Sequence, residues 1–103
     1  MNVDEYQIDD ESCIRPIKVL IADDHEMILD IARLFLNQQP DMLVSTSTSL
    51  PTAISAYQSQ GPFDVVLLDY NMPGMSGLDG LHQMMRIASG RPVAIITGNP
   101  NRT

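Results

Sequence analysis

Two runs of the chain, Val65-Val66-Leu67-Leu68 and Val93-Ala94-Ile95-Ile96, are apolar at every position, and each gives way at once to a polar residue, Asp69 and Thr97. Runs without polar alternation suit strands covered on both faces, as in a parallel sheet layered with helices. A third run, Ile17–Ala22, is followed by Met27, Ile28, Ile31, Leu34 and Phe35 at helical spacing, which predicts a strand and then an amphipathic helix. Asp24 and Glu26 stand at the start of that helix, where carboxylates suit its dipole, and Pro40 follows its last turn. Met42–Thr46 predicts a weaker second strand. The next helix has Pro51 near its start, Ala53, Ile54 and Tyr57 facing inward, and Gly61-Pro62 as its stop. Phe63–Leu68 is the strongest strand signal. Leu78–Ala88 predicts a third helix, with Leu78, Leu81, Met85 and Ala88 on its inner face and Gly90 as its cap, before a fourth strand at Pro92–Thr97.

Alternating strands and helices of this kind predict an α/β fold with a doubly wound parallel sheet. At 103 residues there is room for one domain. Residues 1–15 are polar, acidic and aperiodic, and are expected to form a flexible leader ahead of a folded unit at 16–103. Few aromatics (5%) imply a core of Leu, Ile, Val and Ala, with the seven Met residues as adaptable filler.

Net charge is −7, but the leader holds five of the thirteen acids; from Pro16 on, eight acids face five bases, or −3. That balance disfavours direct binding of nucleic acid, which relies on Lys and Arg to neutralise phosphates. Cys13 is the single cysteine, so no internal disulfide forms and a reducing compartment is the simpler expectation. The amino-terminal residues lack the basic start and apolar core of a signal peptide, and no run is long enough to span a membrane. A cytoplasmic location, with no membrane partner, is therefore expected.

In doubly wound folds ligands bind beyond the carboxyl ends of the strands, where the strand order switches. Asp23, Asp24, Asp69 and Thr97 all fall at such ends. Three carboxylates gathered there repel one another unless they share protons or a cation, and a hard divalent ion such as Mg²⁺ suits an all-oxygen site. With the charge neutralised, a carboxylate can attack phosphorus to give an aspartyl phosphate, and the Thr97 hydroxyl can meet a phosphoryl oxygen. Simpler roles stand beside these: Asp69 as a turn former, Asp23 as a helix cap, and Asn71 as a turn residue. His25 next to two aspartates suggests a zinc ligand, but a surface histidine at a helix start is the preferred reading, and His82 is expected to be exposed. No Ser or Cys nucleophile motif accompanies either histidine, and the glycines near Asp69 form no GxxxxGK[ST] loop.

The acidic pair Asp23-Asp24, then Asp69, the loop Asn71-Met72-Pro73-Gly74-Met75-Ser76-Gly77, and Thr97-Gly98 together resemble the receiver domain of bacterial two-component response regulators over residues 17–103. The separation of about 45 residues between the pair and Asp69 accommodates two crossovers. The resemblance implies a flavodoxin-like sheet of order 2-1-3-4-5, truncated here after the fourth strand. It implies phosphorylation of Asp69 by a histidine kinase or a histidine phosphotransfer protein. Asp23, Asp24, Asp69 and the backbone carbonyl of Asn71 would hold Mg²⁺, and Thr97 would contact the phosphoryl group and relay its presence. The wording of Asp23–Met27 and Asn71–Gly77 is most similar to receivers joined to LuxR/NarL-type DNA-binding domains, which implies transcription as the output.

The family's lysine at the end of a fifth strand has no counterpart, because the sequence ends six residues after Thr97. Lys18 is the only lysine and lies five positions before Asp23, about 17 Å along an extended strand at about 3.3 Å per residue, too far to take its place. An alternative reading is thus a phosphorylation-independent interaction module. A phosphatase of the haloacid dehalogenase type, using Asp69 as nucleophile, would want a second Asp where Asn71 stands. An exposed fourth strand is also expected to promote self-association.

Overall fold

The computed structural model describes residues 15–96, in which strand and helix alternate throughout: β1 (Ile17–Ala22), α1 (Glu26–Leu36), β2 (Met42–Ser47), α2 (Leu50–Gln60), β3 (Val65–Asp69), α3 (Asp79–Ala88) and β4 (Val93–Ile96). All pairings are parallel, and the strand order is β2-β1-β3-β4. The chain lays β2 on one side of β1 and then β3 and β4 on the other. The switch therefore falls between β1 and β3, and it is their carboxyl ends that open a crevice. This is the doubly wound, flavodoxin-like arrangement expected from the sequence.

Local chemistry explains where the elements stop and start. Ser49 caps α2 through a reciprocal box with Thr52, whose amide donates to Ser49 Oγ at 3.3 Å, and Pro51 occupies an early position where no amide is needed. α2 ends at Gln60, immediately before Gly61-Pro62. β3 begins at Val65, two residues later than the apolar run suggests, because Phe63 turns into the core and Asp64 is used as an acceptor for the Lys18 amide at 2.8 Å. α3 ends with Ser89 in the left-handed region (φ 58°), one residue before the glycine expected there, and Gly90 follows at φ 94°.

The core is split by the sheet. On one face Leu20, Ala22, Val66 and Leu68 pack with Leu50, Ala53 and Tyr57 of α2, with Met84 and Ala88 of α3, and with Phe63, Met72 and Met75. On the other, Val19 and Ile21 meet Leu29 of α1. Met72, Met75 and Met84 thus fill the interior as expected of an unbranched side chain. No described helix is long and apolar enough to cross a membrane.

Two helix faces differ from the sequence expectation. In α1 the inward residues are Leu29, Ala32 and Leu36, whereas Met27, Ile28, Ile31, Leu34 and Phe35 are exposed, Met27 by 72%. α1 is apolar around more than half its circumference, so periodicity alone does not select the buried side. The side that is buried is the one carrying Leu29, Ala32 and Leu36, which pack on Val19 and Ile21, and Arg33 beside it donates its guanidinium to Thr46 Oγ1 on β2 at 2.8 Å. In α3 the inner residues are Gly80, Met84, Ile87 and Ala88, while Leu78 and Met85 are exposed. The cause is Gly80, whose amide donates to the Met75 carbonyl at 2.7 Å and whose missing Cβ would lie 2.7 Å from that same oxygen. A glycine carries no hydrophobic signal, so the closest contact of this helix leaves no trace in an apolar pattern.

The two α1 faces make opposite predictions. Leu29→Ala should cost about 3 kcal/mol in a urea titration, whereas Ile31→Ala and Leu34→Ala should stay within about 0.5 kcal/mol of the parent. A large loss at Ile31 with none at Leu29 would place the buried face where the sequence pattern suggested it.

Candidate functional site

β1 and β3 each deliver one buried carboxylate to the crevice. Asp23 follows β1 directly; its amide donates to the Ser47 carbonyl at 2.9 Å, which carries the β1–β2 ladder one residue further and leaves the side chain 4% exposed. Asp69 is the last residue of β3, paired with Ile96 of β4, and is 3% exposed. Asp24 and His25 stand on the loop into α1. One donor atom from each of Asp23, Asp24, His25 and Asp69 falls within 4.8 Å of all the others.

The loop after β3 is held from below. Met72 and Met75 are buried, the Pro73 carbonyl accepts the Leu50 amide at 2.9 Å, and Gly74 (φ +91°) lies so close to α2 that a Cβ would be 2.7 Å from Pro51 Cδ. Tyr70 donates its amide to the Ile96 carbonyl at 3.0 Å. Asn71 is thereby set at the rim, side chain exposed, with its backbone N–H directed to the Asp69 carboxylate.

Electrostatics mark Asp69 as the unusual group. Burial raises its pKa, and the Asp23 charge raises it further; the Asn71 amide opposes this, while Asp24 adds to the rise and His25 counters it. Its Oδ2 atom is buried without any hydrogen-bond partner among the described residues. Such an oxygen is costly unless a proton or a cation meets it. The donor set fits a hard divalent ion: two buried carboxylates, a third at the rim, and one of their oxygens without a partner.

His25 was expected to be a bystander at a helix start, and its side chain is indeed 70% exposed. It is nevertheless bound into the cluster. Asp23 Oδ1 accepts the His25 amide at 2.8 Å and lies 2.9 Å from His25 Nδ1, which is 3.2 Å from Asp24 Oδ1. The hydrogen bond to Asp23, and then the Asp24 charge, raise the imidazole pKa. Asp23 does not cap α1 in the usual sense: His25 is the N-cap residue, and Asp23 receives its amide. The adjacency of His25 to Asp23-Asp24 was the signal for its place here. His82 is exposed on α3, as expected. Lys18 lies at the opposite end of β1, where its ammonium bonds the Gln60 carbonyl and sits 5.2 Å from the Phe63 ring centroid, so it has no part in the pocket. Thr97, the residue expected to contact a phosphoryl group, and Gly98 lie outside the described residues.

A flavodoxin-like sheet with carboxylates gathered at its switch point puts this chain in the class of receiver-type α/β domains. It belongs to the response regulator receiver domain family, whose profile matches residues 19–103. It is 40% identical over 80 residues to a protein-glutamate methylesterase/protein-glutamine glutaminase of Thiobacillus denitrificans, covering 78% of this chain and 22% of that protein. It is 35% identical over 86 residues to a glycerol metabolism activator of Pseudomonas putida, covering 82% of this chain and 39% of that one. The chain therefore spans well under half the length of these curated relatives. The response regulator domain of Thermotoga maritima CheB matches in structure with a TM-score of 0.69 at 26% identity, over 81% of this chain and 61% of that one. The nearer likeness to LuxR/NarL-type regulators finds no support among the relatives, which are CheB-type methylesterases and other receivers. The reason is physical: Asp23–Met27 and Asn71–Gly77 build the pocket and its supporting loop, and pocket chemistry says little about an attached output.

Asp69 also sets a pH dependence. With its folded pKa raised, the metal-free protein is favoured where Asp69 is protonated in both states, and stability falls as pH rises from the ordinary carboxylate range through the raised value. Asp69→Asn should remove that fall and, in chelator at neutral pH, stabilise the fold by on the order of 1 kcal/mol. Thermal melts from about pH 4 to about pH 8, with and without Mg²⁺, read this out. Parallel pH profiles for parent and variant would mean that Asp69 bears no such penalty.

Proposed function

We propose that this domain is a phosphoacceptor in two-component signalling, with Asp69 as the residue modified. The observation that carries this reading is the buried Asp69 carboxylate, one oxygen without a partner among the described residues, at the switch point beside Asp23 and Asp24. A histidine kinase or a histidine phosphotransfer protein is the donor. An Asp69 oxygen attacks the phosphorus of a phosphohistidine; the O–P bond forms, the N–P bond breaks, and the imidazole leaves with the electron pair and takes a proton from solvent. Bound Mg²⁺ supplies the positive charge that lets a phosphoryl group approach three carboxylates. Asp23, Asp24, Asp69 and the Asn71 backbone carbonyl would hold that ion, while the supported Asn71–Gly77 loop keeps the pocket's rim in place. Thr97 contacts the transferred group.

The domain acts as an acceptor and a switch, not as a turnover enzyme, and works in the cytoplasm. The methylesterase and the activator among its relatives support two kinds of output, an enzymatic domain or transcription, governed from the same pocket. The exposed apolar stripe Met27, Ile31, Leu34 and Phe35 begins two residues after His25, and an apolar surface bordering the pocket supports docking of a protein donor.

Incubation with a small phosphodonor and Mg²⁺ should label Asp69. Asp69→Asn should abolish the hydroxylamine-labile acyl phosphate label, and Asp24→Asn should slow labelling by at least about tenfold. Label resisting hydroxylamine, on Ser or Thr, would overturn the assignment. An unlabelled protein that still binds its partners would favour the phosphorylation-independent interaction module.

β4 is an edge strand among the described residues, with Val93, Ile95 and Ile96 only partly covered. Pairing of two copies along it follows from its unpaired amides and carbonyls. Sedimentation at micromolar concentration should show a dimer or larger species, and a stable monomer would rule this pairing out.

A further inference from the structure

We propose that His25 is a nitrogen ligand of the acidic pocket, giving it a preference for late first-row divalent ions, Co²⁺ through Zn²⁺, beyond what its carboxylates alone provide. The inference rests on the cation-binding reading of Asp23, Asp24 and Asp69 given above and adds a fourth donor to it.

The separations between donors carry the argument. His25 Nδ1 is 2.9 Å from Asp23 Oδ1 and 3.2 Å from Asp24 Oδ1. Neighbouring ligands of an octahedral ion with bonds of about 2.1 Å stand about 3.0 Å apart, so His25 Nδ1 stands from each aspartate oxygen at the spacing of adjacent positions in a coordination shell. The buried Asp69 Oδ2, without a partner among the described residues, is the independent sign that the cluster is built to receive a positive charge.

His25 is also set in place by the backbone. Its amide donates to the same Asp23 oxygen that its ring contacts, and as the N-cap of α1 its extended conformation (φ −95°, ψ 104°) returns the ring over the loop toward the carboxylates. The ring is 70% exposed, so an ion reaches it from solvent and a substitution there disturbs no core contact. Imidazole contributes little to a Mg²⁺ site, since that ion prefers oxygen, but it strengthens binding of nickel, copper, cobalt and zinc. His25 is therefore a residue that sets metal preference and leaves the phosphoacceptor chemistry to Asp69.

The test is made in a His82→Gln background, which leaves His25 as the only histidine. Calorimetric titration at about pH 8 compares Mg²⁺ and Ni²⁺ binding with and without His25→Ala. Ni²⁺ affinity should fall at least about tenfold and Mg²⁺ affinity change by less than about threefold. Pulsed electron paramagnetic resonance of the Cu²⁺-loaded parent should show the remote imidazole nitrogen, and His25→Ala should lose it. If Mg²⁺ binds and Asp24→Asn weakens it, yet Ni²⁺ affinity ignores His25→Ala and no imidazole nitrogen is seen, the inference fails and the pocket reading stands. If neither ion binds the parent, both fail together.

Discussion

A single constraint organises the structure: a carboxylate, Asp69, is held in the interior at the end of a central strand, with Asp23 beside it and one of its own oxygens unpaired among the described residues. Left to itself such an arrangement pushes apart, because burial and like charge both disfavour the ionised form. The sheet resists that push. Asp23 is fixed by the Ser47 carbonyl on one side of β1, and the residue after Asp69 is fixed by the Ile96 carbonyl on the far side of β3. Both bonds continue parallel ladders, so the carboxylates cannot separate without unpairing the strands that carry them.

The loop after β3 supplies the rest of the restraint. Met72 and Met75 sink into the layer formed by α2 and α3, and α3 comes close enough for the Gly80 amide to reach the Met75 carbonyl. Gly74 lies against Pro51 at the start of α2 with no room for a side chain. Hydrophobic burial on one face of the sheet is in this way converted into positional control of Asn71 at the pocket rim. A receiver-type pocket needs this rigidity, since stabilising a transferring phosphoryl group depends on charges already in position.

How much of this was legible in the sequence depends on the kind of signal. Strands buried on both faces announce themselves as unbroken apolar runs, and the polar residues that end them, Asp23 and Asp69, mark the crevice directly. The helix faces were less legible. α1 has apolar residues on both its buried and exposed sides, so hydropathy leaves the choice between Leu29 and Ile31 open, and it is Leu29 that meets Val19 and Ile21. α3 turned on Gly80, a residue defined by what it lacks. The place of His25 depended on a backbone conformation just ahead of a helix, which no periodicity encodes.

These misjudged faces bear on function because α1 connects two surfaces. Its first residue follows directly on the Asp23–His25 turn, and its exposed stripe runs from Met27 to Phe35. Had the stripe been buried, as the sequence pattern suggested, the pocket would have opened beside a polar helix face suited only to solvent. With Leu29 turned inward, the large apolar side chains lie outward and the carboxylates open at the same end of the helix. Charge at the crevice and apolar surface on α1 are then presented together at one end of the helix. The roll of one helix thereby decides whether apolar or polar surface borders the carboxylates.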